Sequence, residues 1–85
     1  GLDMLIKANK LREEDGYITD SLGWAYFAKK DYVKAEKFLK KAVELLPTDP
    51  IINDHYADNL WMLKKKIQAR YIWNSVLKLD TRNRI

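Results

Sequence analysis

Cysteine is absent from the 85 residues of this sequence, so neither disulfide staples nor thiolate chemistry is available, and the redox compartment stays open. Only 3 Gly and 2 Pro punctuate the chain, which favours long helices over a many-turned β architecture. No apolar run approaches the roughly 18 residues that span a bilayer. Arginine is scarce beside lysine, so the +4 net charge lacks the residue that most often reads bases or stacks on them. The first residue is Gly1, not Met, as expected of a segment cut from something longer, so the lack of a cleavable signal says little about the parent. What remains is a 47% hydrophobic, 33% charged chain, the mix of one small folded domain and not of a disordered tail.

Self-similarity organises that domain. Displaced by 34 positions, the sequence falls on itself. Leu5 meets Leu39, Ala8 meets Ala42, and Leu11 meets Leu45 and then Leu79. Asp15 meets Asp49, Asp20 meets Asp54, Phe27 meets Trp61, Lys30 meets Lys64, and Ala35 meets Ala69. The small residues Gly23 and Ala57 also coincide, as do the bulky pairs Leu39 with Trp73 and Tyr26 with Leu60.

Each period predicts two helices. Gly16 to Lys29 carries Thr19, Leu22, Gly23 and Tyr26 on one helical stripe. Asp31 is the expected N-cap of a helix over Tyr32 to Leu46, with Ala35, Phe38, Leu39, Ala42 and Leu45 inward. Pro47 ends it, because the ring clashes with the preceding turn and has no N–H to donate. Asp49 before Pro50 opens the next helix, to about Leu63. After a basic link at Lys64 to Lys66, a last helix covers Ile67 to about Asp80. Leu2 to Leu11 reads as the second helix of an earlier repeat.

These residues resemble the tetratricopeptide repeat, whose pattern is W-x2-L-G-x2-Y, then A-x3-F, then P over about 34 residues. Here the first copy reads Thr19, Leu22, Gly23, Tyr26, Ala35, Leu39, Ala42 and Pro47. The second reads Tyr56, Ala57, Leu60, Ala69, Trp73 and Val76, with Thr81 in place of the last proline. Asp20-Ser21-Leu22-Gly23-Trp24 and Asn53-Asp54-His55, with Ala69-Arg70 and Trp73, also look like the closing repeats of large bacterial proteins of this family. The resemblance implies an all-α, right-handed superhelical array of antiparallel helix pairs (an α-solenoid) with about five helices. Its units would be residues 1–15 as the second helix of a preceding repeat, 16–49 as one full repeat and 50–83 as another. Such arrays bury their apolar faces by stacking on neighbours, and two and a half repeats are near the minimum for stability. Lys30 and Lys64 stand at the helix–helix turns where the family usually has Gly, so a left-handed backbone there costs each about 1 kcal/mol.

In this family the first helix of each repeat lines a concave, ligand-holding face. Carried over by position, that gives Tyr17, Asp20, Ser21, Trp24, Phe27 and Ala28, then Ile51, Asp54, His55, Asp58, Trp61 and Met62. Aromatics with a few charges suit protein recognition. Trp24, Phe27 and Trp61 have a second reading, as packing between adjacent first helices. The lysines at 29, 30, 34, 37, 40 and 41 read as a solvated outer surface, which leaves an acidic face on a basic chain. The expected partner is therefore a protein or peptide with basic and apolar residues. The family's clamp for acidic chain termini needs Lys, Asn and Arg where this chain has Asp20, Trp24, His55 and Asp58, so a terminal carboxylate would be repelled.

Other function classes find little support. His55 is the only histidine, and with Asp54 and Asp58 it makes a poor zinc site, so no metal and no other cofactor is expected. No phosphate loop and no supported triad point to an enzyme. Alternatives are a structural segment that self-associates through its terminal helices, where Tyr71, Ile72 and Leu77 lie, and nucleic-acid binding through the lysine face. The paucity of arginine argues against the second. The compartment, cytoplasm or bacterial periplasm, is left open.

Overall fold

The computed structural model describes residues 1–82, with side chains to 78. It holds five helices: α1 (Leu2–Leu11), α2 (Gly16–Ala28), α3 (Tyr32–Leu45), α4 (Pro50–Met62) and α5 (Lys66–Arg82). No strand occurs among the described residues. The second expected repeat ends at residue 83, outside them.

The helix boundaries are set by local chemistry, and they repeat. The Asp15 carboxylate accepts from the N–H groups of Tyr17 and Ile18, and that of Asp49 from Ile51 and Ile52, so each cap satisfies donors that a helix start leaves orphaned. Inside the same first turns, Thr19 Oγ1 donates to the Asp15 carbonyl and Asn53 Nδ2 to the Asp49 carbonyl. Asp31 caps α3 through the Lys34 N–H. At the helix ends, Lys30 and Lys64 have φ of 65° and 69°, so both adopt the left-handed conformation and carry its cost. Each closes the same C-terminal motif. Lys30 N–H donates to Phe27 and Asp31 N–H to Tyr26, while Lys64 N–H donates to Trp61 and Lys65 N–H to Leu60. The basic link is shorter than the sequence suggests, because Lys66 is already helical.

The core follows the small residues. Ala35, Leu39 and Ala42 of α3 and Leu22 and Gly23 of α2 are buried, with Leu39 directly over Gly23, and Ala57, Leu60 and Ala69 form one cluster between α4 and α5. Gly23 is required for the first crossing: a Cβ there would lie 2.7 Å from Leu39 Cγ and 3.0 Å from its backbone nitrogen. Contacts join α1 to α2, α2 to α3, α3 to α4 and α4 to α5, and α2 also touches α4. That last contact sets two equivalent helices side by side.

Candidate functional site

The shared face of α2 and α4 carries the stripe read from the sequence, and the structure divides it into a floor and a rim. The floor is an aromatic stack. Trp24 lies between Phe27, with centroids 4.3 Å apart and planes 7° from parallel, and His55, 3.9 Å away at 15°. Phe27 meets Tyr32 of α3 edge-on. His55 Nδ1 lies 3.0 Å from Asp20 Oδ1 and 3.1 Å from Oδ2. With Asp20 ionised, that nitrogen carries the proton and donates. The pair is largely shielded, the side chains being 21% and 12% exposed.

Trp24 therefore packs between the two helices with both faces covered, whereas Phe27 stacks on it from within α2. Asp20 is not an open groove carboxylate; its neighbour one repeat position on, Asp54, is exposed and accepts from Trp73 Nε1 of α5 at 2.9 Å. Trp61 leaves the group altogether. Its ring lies 5.6 Å from that of Trp73, and Lys66 and Arg70 sit above it. The rim is formed by Tyr17, Ser21, Ala28, Ile51, Asp54 and Met62, all exposed, with Asp58 partly so. Tyr17 and Ile51, equivalent positions of the two hairpins, are 63% and 65% exposed.

Burial raises the Asp20 carboxyl above its ordinary value, with Asp49 adding to it, although the hydrogen bond and the charge of His55 pull it down. Burial and then the neighbouring Asp54 raise Asp58 as well, and His55 opposes them. Among the described residues no cluster of three or more His, Asp or Glu could hold a metal ion, and no helix is long and apolar enough to cross a membrane.

Two polar residues of this region escape the stripe reading. Asn59 is fully buried and donates from Nδ2 to the Tyr32 carbonyl at 2.9 Å, pinning α4 to the start of α3, while its Oδ1 has no partner. Trp73 reads as bulk in the sequence yet also holds Asp54. A polar residue beside the apolar Tyr56, Ala57 and Leu60 is the signal that could have found Asn59; nothing local marks the bond from Trp73.

Comparison with known proteins agrees with this architecture. A family model described as Tetratricopeptide repeat matches residues 21–49. The solved structure MamA MSR-1 C2 superposes with a TM-score of 0.86 over 96% of this chain at 18% identity. The chain spans 47% of the length of that structure. No curated protein matches the sequence. Residues 21–49 thus match the tetratricopeptide repeat, and the chain as a whole has the all-α helical-repeat fold of that solved structure.

Proposed function

We propose that this chain is a non-catalytic scaffold that holds a segment of a partner protein across the α2–α4 face, as the concave surface of two full repeats preceded by half of another. The observation that carries this is the pair Tyr17 and Ile51. They are large apolar side chains at equivalent positions, both mostly exposed, beside a floor whose rings are already locked. Exposed apolar side chains over an ordered base are what a recognition surface offers, since little side-chain freedom remains to be lost on binding.

The acids favour a partner segment with a Lys or Arg between apolar residues. Asp58 is an unfavourable place for a negative charge, given its burial and the nearby Asp54. A cation bound between the two relieves that cost. Trp24 serves as a rigid support here, and Tyr17, Ile51 and Met62 supply the contact. A photo-crosslinking residue at Tyr17 or Ile51 should capture the native partner of the parent protein, and one at Lys40 should not. Capture from Lys40 alone would move the binding surface to the other side of the array.

A further inference from the structure

The hairpins α2–α3 and α4–α5 match position for position, so a difference between matching places belongs to the residues there and not to the fold. On the first hairpin the rings of Tyr26 and Phe38 stack, with centroids 5.6 Å apart and planes 9° from parallel. Lys34 Nζ lies 5.7 Å from the Tyr26 ring centre and Lys37 Nζ 5.6 Å from that of Phe38, so two lysine side chains cover the rings. Displaced by 34 positions, Tyr26 and Phe38 become Leu60 and Ile72, and the two lysines become Gln68 and Tyr71. The stack and its lysine cover are both gone. In their place is a cavity of about 400 Å³, lined by Tyr56, Leu60, Ile67, Gln68, Tyr71 and Ile72.

This opening is not the place of a further stacked helix. α3 receives α4 and the turn after it through the Tyr32 carbonyl and Glu36, whose counterparts on α5 are Lys66 and Arg70. By helical spacing Gln68 and Tyr71 lie on another side of α5. Val33, Lys34 and Lys37, the counterparts of Ile67, Gln68 and Tyr71, stay exposed although α3 has both α2 and α4 packed on it, with Val33 at 72%. The exposure of Ile67, 84%, and of Tyr71, 72%, therefore belongs to their place within the repeat.

The groove has a charged mouth. A second cavity, of about 390 Å³, is lined by Lys64, Lys65 and Lys66 and joins the first through Ile67 and Gln68, which line both. The first hairpin has Lys30, Asp31 and Tyr32 at those positions, so one base and one acid give way to three bases. Lys65 is balanced by Glu36, 2.7 Å away, and among the described residues neither Lys64 nor Lys66 has a carboxylate partner. Burial and then Glu36 push the Tyr56 phenol up, Lys65 opposes them, and Glu44, the other acid near the groove, has the smallest effect.

We propose that this groove docks a short acidic segment of a partner protein, with a bulky apolar side chain between Tyr56 and Tyr71 and carboxylates beside it at Lys64 and Lys66. The apolar lining and the volume set the anchor, and the unbalanced lysines set the sign of its flank. A second copy placed α5 against α5 is disfavoured. Residues 66–78 carry Lys66, Arg70 and Lys78 and no acid, so two such helices repel. The groove shares no residue with the α2–α4 face, so the two sites can fail separately.

The probe is a displayed library of random short peptides, panned against the whole chain and counter-selected against Tyr71→Ala. Survivors are then titrated as fluorescein-labelled peptides by fluorescence anisotropy. They should combine a bulky apolar residue with neighbouring Asp or Glu. Ile67→Ala should weaken them about tenfold, the equivalent of about 1.4 kcal/mol. Lys64→Glu together with Lys66→Glu should weaken them about as much in dilute buffer, and less as salt is added. Tyr17→Ala and Ile51→Ala should leave their binding unchanged. All of these positions are exposed, and circular dichroism checks that each variant is folded. No surviving peptide, survivors rich in Lys or Arg, or affinities indifferent to the two lysine reversals would overturn the proposal. Loss of binding on Tyr17→Ala or Ile51→Ala would move these peptides to the α2–α4 face and overturn it too. A concentration-dependent dimer in light scattering that disappears in Tyr71→Ala would assign the groove to a second copy and overturn the acidic segment.

Discussion

Replacing His55 with Ala tests whether α2 and α4 form one rigid face. Three contributions decide the size of the effect. The bond from Nδ1 to the Asp20 carboxylate, at 3.0 Å and largely shielded, belongs to the class of hydrogen bonds to charged groups worth about 1.5–3 kcal/mol. The stack on Trp24 adds about 0.5–1.5 kcal/mol. Alanine's better helix propensity returns roughly 0.5 kcal/mol. Water entering beside Asp20 recovers part of the first loss, which leaves a net destabilisation of about 2–3 kcal/mol. For a domain of this size that lowers the melting temperature by roughly 10–20 °C. Urea unfolding of the wild type, His55→Ala, Asp20→Asn and the double variant gives both the loss and the coupling, which should exceed about 1 kcal/mol. Because array stability is a sum of neighbour terms, His55→Ala should also raise amide exchange in α4 and α5 more than in α3. A loss below about 0.5 kcal/mol, or additive single changes, would mean that the pair behaves as a surface contact and that the floor is not locked.

The pH dependence follows from Asp20 and Asp58, whose folded-state values are raised above 3.8 chiefly by burial. A raised group favours the protonated native state, so its stabilising contribution is complete below 3.8 and is lost as pH rises through the folded value. The wild type should therefore gain stability relative to Asp20→Asn as pH falls from 7 toward 4; a falling difference would reverse the sign. Ala35 is fully buried at the α2–α3 crossing, so Ala35→Leu should cost about 1–3 kcal/mol by overpacking. Lys37→Leu, on the exposed side, should stay within about 0.5 kcal/mol, and equal melting temperatures would refute the helix phase. Lys30→Gly and Lys64→Gly should each stabilise by about 0.5–1 kcal/mol in chemical denaturation, since glycine carries no Cβ penalty at φ of 65° and 69° but loses more chain entropy on folding. A loss on either change would show that those lysines contribute contacts beyond the turn.

Local rules carried the sequence reading a long way, because most of this fold is decided over short separations. Asp31 and Asp49 cap where they were expected, Pro47 follows the end of α3, and Pro50 opens α4. The alanines at 35, 42, 57 and 69 are buried because helical spacing puts them on the inner stripe and their size admits a neighbouring helix. A capping bond spans three residues and a stripe spans a few turns, so both are legible in one dimension. Even the left-handed lysines follow from their place between two helices that must reverse direction.

The identity of a stripe does not fix what it touches. Asp20 and Asp54 are indistinguishable by position, yet one is buried under His55 and the other is exposed and held by Trp73. Phe27 and Trp61 are likewise equivalent, but one joins the stack between α2 and α4 while the other turns to α5. The difference arises because α2 has α4 beside it, whereas no described helix lies beside α4 in the same way. The bonds of Asp20 to His55 and of Asp54 to Trp73 span 35 and 19 positions of chain. The first depends on how one hairpin rotates over the next, a rotation set by the summed packing of both and carried by no single residue, and the second on how α5 lies against α4. The sequence by itself determined the helices, their register and the faces they bury; the stacking of hairpins decided which side chains of the exposed stripe are locked into its floor and which are left for a partner.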